Sequence, residues 1–337
     1  MAERVTHANR RNVLKATGSA IAVGSLAGCL GNGGGGDDSS TVSFTLGHGI
    51  ASEEPLWLMD AKSDILEHWG DAYEVDFKGF PANNQRLQAF QAGELQAGTS
   101  AAITAIFSTD SGLPLTVVAN IAQEREDTFH EKFLVRPDSD MDGLNKESLE
   151  GKKIGICAFK SWCDLWAQSA VRSVGLEPGE DVELVKTPFP SMPDAVSEGQ
   201  VDTAMFPPVF ERMGMQKHDL EPIFNVIDTT GWEHDLMELW FSTQFLERNG
   251  DVVEKFLQDY STAVDYYNNN IEESKNAIHD AGFVQTPKET YVDLPNYTHQ
   301  VQPLTESLKK VNNLAADIGW IEEPVDIDNL YNLDYLP

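Results

Sequence analysis

Basic residues are scarce in this chain. Its 337 residues include 24 Lys and Arg against 54 Asp and Glu, so 24 − 54 = −30. That deficit excludes the basic face needed to neutralise phosphates, and with it nucleic-acid binding. It also excludes adhesion to anionic lipid by charge alone. The body lacks a long uninterrupted apolar run, which excludes a transmembrane bundle. Cysteine is nearly absent, at 3 residues, and no CxxC or HxxxH spacing marks a zinc site. The 8 histidines are scattered, and HExxH, GxSxG and P-loop patterns are missing. Acids are too abundant for any Asp/Glu pair to signal acid–base catalysis. No catalytic residue, metal ligand or cofactor is therefore assigned. What remains is an ordinary folded composition, 41% hydrophobic and 23% charged, long enough for one large domain or two medium ones.

The N-terminus has a different character. Asn9-Arg10-Arg11-Asn12-Val13-Leu14-Lys15 leads into a weakly apolar stretch, Ala16 to Ala27, and then Leu26-Ala27-Gly28-Cys29. A twin-arginine pair, a mild apolar core and small residues before a Cys form an export signal over 1–28. Leu26 to Cys29 resembles a lipobox, which implies lipid attachment at Cys29 and a membrane anchor. Residues 29–41 are Gly-rich, cannot pack a core and read as a flexible tether. Anchor, tether and body together predict a protein on the outer face of a membrane. Removing 1–28 takes away Glu3, Arg4, Arg10, Arg11 and Lys15, a net of +3, so the mature charge is −30 − 3 = −33. Such a chain repels itself at low salt, which favours a monomer. The balance resembles proteins of salt-loving organisms, archaea in particular. Cys157 and Cys163 remain after export; we expect two free, largely buried thiols, with a disulfide as the alternative.

Strand-like alternation appears at Val42–Leu46, Tyr73–Phe77, Leu115–Ile121, Lys132–Val135, Lys153–Cys157 and Val182–Lys186. Helical patterns are predicted over Pro55–Trp69, Asn84–Gln91, Val252–Ile278 and Val301–Ile318. The alternation predicts α/β layers with largely parallel sheets. An internal echo sharpens this. Ala89-x-x-x-Gly93-x-Leu95-x-Ala97 leads into Gly98–Ala102, and Ala195-x-x-x-Gly199-x-Val201-x-Thr203 leads into Ala204–Pro208. Each reads as a helix capped by Gly, a short strand and a turn, which suggests two similar lobes.

Leu149-Glu150-Gly151-Lys152-Lys153-Ile154-Gly155, Gly175-Leu176, Asp181–Val185 and Ala195–Asp202 carry a family likeness. In that order they resemble the substrate-binding proteins of ABC importers, in the nitrate/sulfonate/taurine and thiamine-precursor group. Leu87–Ala102 and Ser111–Leu115 resemble the matching part of the first lobe. Gln96 departs from the pattern, where the family often has Asp; Asp202 keeps the acid. The resemblance implies the type II periplasmic-binding-protein fold, two mixed sheets flanked by helices and joined by two hinge crossovers. It places lobe one at 42–133 plus 238–337 and lobe two at 134–237, with crossovers near Phe133–Arg136 and Leu236–Phe241. The C-terminal helices are expected to return to lobe one. The implied partners are a small-molecule ligand and the permease and ATPase subunits of the importer.

Ligands of open α/β sheets lie beyond the strand C-termini, where helices begin. The turns there offer His48 and Ser52, Thr99 and Ser100, Lys160, Ser161, Trp162 and Asp164, and Phe206; Trp232 precedes the second crossover. These ten are the candidate ligand contacts. Ser100 and Ser161 have ordinary N-caps as the alternative, and Trp232 either lines the cleft or lies on a surface loop. Trp57, Trp166 and Trp240 are expected in the core. Acids near the turns, Glu53, Glu54, Asp164 and Asp235, outnumber Lys160 and Arg125, which favours a neutral or cationic organic ligand over a bare anion; a sulfonate stays open. Two other classes are weighed. Pyrimidine-precursor synthases resemble the same binding proteins but carry clustered cysteines with a histidine for iron, a pattern missing here. A surface sensor would share the binding chemistry and differ only in what reads the closed state.

Overall fold

The computed structural model describes residues 41–337. The export signal, Cys29 and the tether up to residue 40 lie outside the described residues. Among the described residues ten strands form two sheets of five. In chain order they are β1 (Val42–His48), β2 (Tyr73–Gly79), β3 (Ala97–Ala101), β4 (Leu115–Glu124), β5 (Lys132–Val135), β6 (Lys153–Ile156), β7 (Glu183–Lys186), β8 (Thr203–Phe206), β9 (Glu221–Asn225) and β10 (His234–Ser242). Sheet one runs β2-β1-β3-β10-β4 and sheet two runs β7-β6-β8-β5-β9. This is the mixed α/β arrangement expected from the sequence.

The two orders are the same once β1, β2, β3, β10 and β4 are set against β6, β7, β8, β5 and β9. In each sheet the first three are parallel, and the fourth runs antiparallel to both of its neighbours. The echoed segments are β3 and β8 with the helices before them, Asn83–Gln91 and Met192–Ser197. Gly93 and Gly199 end those helices at φ +76° and +72°, a conformation that costs a residue with a Cβ. Both β3 and β8 are buried along their whole length, as interior strands covered on two faces must be. Close packing shows at Gly98, where an added Cβ would lie 2.5 Å from the Trp240 ring.

The chain passes between sheets twice, through 125–131 after β4 and through 226–233 before β10. The predicted crossovers, Phe133–Arg136 and Leu236–Phe241, are instead largely strand: β5 lies between β8 and β9, and most of β10 between β3 and β4. The apolar alternation that marked these residues as extended arises from sheet pairing.

Three other expectations change at the level of elements. The helix predicted over Pro55–Trp69 stops at Ala61; a one-turn 3-10 segment, Ser63–Ile65, follows, and Leu66 is extended. The pattern over Val252–Ile278 resolves into helices Thr243–Asn269 and Ile271–Asp280, with a break at Asn270. Cys157 and Cys163 form a disulfide, against the expectation of free thiols. The turn after β6 folds back onto the first turn of helix Trp162–Ser173 and brings the two Cα atoms to 6.0 Å, within bridging range.

The C-terminal helices return to lobe one, as expected. Thr243–Asn269 and Ile271–Asp280 pack on helix Glu54–Ala61, and Thr305–Asp317 packs on helix Ala102–Asp110 and β10. Phe44, Tyr73, Phe241, Phe245 and Phe256 interlock beneath sheet one. Trp57, Trp166 and Trp240 are all buried. Among the described residues no helix is long and apolar enough to cross a membrane.

Candidate functional site

The C-terminal ends of the parallel strands carry the candidate turns, and lobe two touches lobe one along them. Lys160 Nζ donates to the Trp320 carbonyl at 3.1 Å and lies over the Phe107 ring. On helix Pro208–His218, Arg212 grips Asp293 through side chain and backbone, with Nη1 2.7 Å from Oδ2 and Nη2 2.6 Å from the carbonyl oxygen. These contacts join the rims of the two lobes.

Corresponding turns in the two lobes are fastened differently. In lobe one the turn after β1 is held by charge. Glu53 Oε1 accepts from the Gly49 N–H at 2.9 Å and from the Thr99 hydroxyl at 2.8 Å. The Arg86 guanidinium donates to Thr99 at 2.6 Å, lies 3.4 Å from Glu53 and also bonds Asn83. Glu53, Arg86 and Thr99 are all buried. In lobe two the turn after β6 is held by the disulfide and by caps. Ser161 accepts from the Asp164 N–H, and Asp164 accepts from the Lys160 N–H at 2.8 Å. Ser52 and Lys160 adopt left-handed conformations, φ +65° and +56°, in these two turns. Non-glycine residues pay for that conformation with strain, which concentrates at functional turns.

The ten candidate contacts separate on this geometry. Thr99 is consumed by the Glu53–Arg86 network, while Ser161 and Asp164 cap a helix. His48 accepts from the Trp57 indole at 3.1 Å and packs edge-on against Trp57, Phe77 and Phe283. Trp162 donates to the Leu236 carbonyl at 3.0 Å and stacks on Trp166, beneath the start of β10. Phe206 is enclosed in lobe two with Leu134, Met192 and Val201. Trp232 lies on the second crossing under Lys310 Nζ, and its indole N–H has no partner. Ser52 stands beside the Tyr297 phenol. Ser100 is buried with an unpartnered hydroxyl, and its register partner on β10 is Glu238.

Sequence reasoning named Asp235 as an acid near the turns but missed Glu124, Glu131 and Glu238, which are buried at the crossings. The first crossing begins at Glu124 and ends at Glu131, both buried. The Glu131 N–H donates to Glu124 Oε2 at 3.1 Å, and the Tyr297 hydroxyl donates to Glu131 Oε1 at 2.7 Å. Burial raises both carboxyls above the usual range, and the proximity of Glu131 raises Glu124 further. The second crossing delivers His234, Asp235 and Glu238. His234 accepts from the Trp166 indole at 2.9 Å, and burial lowers it to about 4. Asp235 accepts from Asn120, Gln123 and the Leu304 N–H, yet burial still pushes it up to about 7. Burial and then the charge of Asp235 raise Glu238. The crossings are tied together by Arg125 and Glu233 at 3.2 Å. Only acids spaced by the crossing itself would have signalled this, and acids are everywhere in the sequence. Among the described residues no group of three or more His, Cys, Asp or Glu is arranged to hold a metal ion.

Known structures share this architecture. A ligand-binding component of an ABC-type import system from Staphylococcus aureus, solved with zinc bound, matches with a TM-score of 0.71 at 15% identity, over 88% of this chain and 98% of that one. The periplasmic aliphatic sulphonate-binding protein SsuA of Escherichia coli matches with a TM-score of 0.72 at 18% identity, over 87% and 92%. The alkanesulfonate-binding protein SsuA of Xanthomonas axonopodis pv. citri, bound to MOPS, gives 0.61 at 18%, over 83% and 92%. At such identities the likeness establishes the periplasmic-binding-protein fold. No curated protein matches the chain by sequence. The profile of the family described as "NMT1/THI5 like" matches residues 74–274, more than half of the sequence, and the chain therefore belongs to the NMT1/THI5-like family.

Proposed function

We propose that this chain is the extracytoplasmic solute-binding protein of an ABC importer, capturing a small organic molecule between its lobes and delivering it to a permease. The observation that carries this reading is the repeated sheet: two lobes of one topology are joined, among the described residues, by two adjacent chain crossings. Such a joint permits hinge closure, and a ligand that touches both lobes favours the closed state by its contacts there. The Lys160–Trp320 and Arg212–Asp293 contacts are the protein's own part of that closure. Family membership and the import and binding roles of the neighbouring structures support the reading.

The ligand is sulfonate/taurine-like or pyrimidine/thiamine-precursor-like. Ser52, Ser100, Lys160 and Trp232 are the direct contacts in this proposal, and His48, Thr99, Ser161, Trp162, Asp164 and Phe206 hold the turns that present them. The lobes expected at 42–133 with 238–337 and at 134–237 are redrawn at the crossings, so that lobe one takes all of β10 from His234 and lobe two all of β5 from Lys132. Export through the twin-arginine signal and lipid attachment at Cys29 place the monomer on the outer face of the membrane. The Cys157–Cys163 bridge supports that location, since disulfides persist in oxidising compartments. The same bridge leaves neither thiol free to ligate iron, as a synthase-like reading would need.

A thermal-shift screen in concentrated KCl with sulfonates, nitrate, pyrimidines and thiamine precursors tests the proposal, with small-angle scattering to follow closure. A binder that raises the melting temperature and shrinks the particle is expected. Chemical turnover of that binder by the pure protein is the result that sinks it.

A further inference from the structure

One short loop of lobe two carries two ties to lobe one. Cys157 follows β6, Cys163 stands in the first turn of helix Trp162–Ser173, and their bridge closes the loop over a separation of 6 residues. Two side chains reach out from it. Lys160 Nζ donates to the Trp320 carbonyl at 3.1 Å and lies 5.7 Å from the centre of the Phe107 ring. The Trp162 indole donates to the Leu236 carbonyl, near the start of β10, at 3.0 Å. The loop thus meets lobe one at the rim and again beside the second crossing. Within the loop, Ser161 Oγ donates to the Ala158 carbonyl at 2.6 Å, and Asp164 accepts the Lys160 N–H. Lys160 stands at φ +56°, a conformation that a non-glycine residue seldom adopts unless its neighbours are held. The bridge holds them from both ends. The corresponding turn after β1 contains no cysteine, and its Glu53–Arg86 pair stays inside lobe one. The bridged loop is open to reagents on one side: Phe159 is 60% exposed and Cys157 half-buried, while Cys163 is buried. Cys163 also lies at the positive end of its helix, which favours its departure as a thiolate.

We propose that the bridged loop is a redox latch on lobe closure: the disulfide holds Lys160 and Trp162 against lobe one, and its reduction to two thiols frees Lys160 and opens the cleft. This rests on the hinge closure of the solute-binding reading and adds to it a dependence on the thiol–disulfide state of the surroundings. The reductant is a dithiol. One of its thiolates attacks Cys157 Sγ, the S–S bond breaks, and Cys163 leaves as a thiolate. The second thiol then displaces Cys157 from the mixed disulfide. The dithiol becomes a disulfide, and its two protons end on the two cysteines. The freed loop loses the restraint that makes the left-handed Lys160 cheap, so the closed state loses a contact that the open state never had. A bridge that only stabilises lobe two is the competing account, and the experiment separates the two.

The open-to-closed ratio of the full chain is read without ligand, in concentrated KCl and below the melting midpoint, from spin-label distances between the lobes. Ketone side chains introduced at the exposed Glu180 and Glu323 carry the labels, so labelling needs no thiol. Dithiothreitol should raise the ratio about fivefold in the parent chain, and reoxidation should restore it. C157S/C163S should match the reduced parent and ignore the dithiol. K160M, with its bridge intact, should show most of the shift, and reduction should add little to it. A lower melting temperature on reduction with an unchanged ratio makes the bridge a fastener of lobe two only and overturns the proposal. An unshifted K160M overturns it as well. Should C157S/C163S fail to fold, the reduced and reoxidised parent decides alone. If reduction leaves the ratio unchanged while a compound of the wider screen closes the lobes, the latch falls and the solute-binding reading stands. If one fixed distance persists under every condition and with every compound, both fall.

Discussion

Lobe one and lobe two solve one problem twice. Both follow a corresponding strand, β1 in one and β6 in the other, with a turn that holds a left-handed residue, Ser52 or Lys160. Lobe one fixes its turn with a buried ion pair, Glu53 and Arg86, bridged by Thr99. Lobe two fixes its turn with a covalent bridge and two helix-capping side chains. The strand order is common, so topology does not dictate the fastener. A buried charge network must be completed by every partner to be worthwhile, whereas a disulfide limits the unfolded chain and tolerates imperfect surroundings.

The comparison is broken most severely in lobe one. Arg86→Met leaves Glu53 buried and uncompensated, at a cost of about 3–5 kcal/mol. We expect a large drop in denaturant midpoint, and hydrogen exchange should locate the loosening around Gly49 and Thr99. A drop confined to lobe two would contradict the assignment of fasteners.

The lobe-two counterpart is milder. Replacing both Cys157 and Cys163 by Ser removes a short-loop constraint worth about 2 kcal/mol, and the melting temperature should fall by a few degrees. A reductant should reproduce the fall in the parent chain and leave the double variant unchanged.

The crossings between the lobes titrate. Asp235, at about 7 against 3.8 for an ordinary Asp, holds its proton in the folded state over a range where the unfolded chain has lost it. Stability from this group is fully present below 3.8 and is lost as pH rises through about 7. The raised Glu124, Glu131 and Glu238 act in the same direction. His234 and His299, lowered to about 4, act oppositely, but only between there and 6.5. From pH 6.5 to about 7.5 the carboxyls dominate the slope; nearer pH 8 Lys275, lowered by burial to about 8, begins to oppose them. Stability should therefore decline from pH 6.5 to 7.5 by about 1 kcal/mol or more, and E131Q should flatten the decline. A rise over that interval in calorimetry would contradict the burial of these acids.

The smallest effect concerns the rim. Arg212→Ala removes an exposed contact to Asp293, so folding should be nearly unchanged. The open-to-closed ratio should shift toward open by about threefold, readable by spin-label distances between the lobes.

Much of this architecture can be read from the residues. The echo at Gly93 and Gly199 identified equivalent strands in the two sheets, because a left-handed cap and a buried strand each restrict which residues fit. The strands of period two were found within a few residues. The crossings were displaced because β5 and β10 look alike from either side: extended, apolar and central. The helix over Pro55–Trp69 was read too long because Leu66 and Trp69 pack against the core from extended and bridged backbone, a placement that helical spacing mimics. Trp162 and Phe206 stood at the right turns, but long apolar side chains at strand ends turn inward when a core is available. Glu131 and Glu238 escaped notice, and Asp235 was counted only as one acid among many, because burial, which makes them distinctive, is a property of the fold.

Sheet two is assembled from an unbroken stretch, β5 to β9, whereas sheet one requires β10, translated only after all of sheet two. Until Ser242 has left the ribosome, β4 has no strand to lie against. The half of the molecule made first is thus finished last. Sheet one cannot close until 242 of the 337 residues have been translated, although its first strand begins at residue 42.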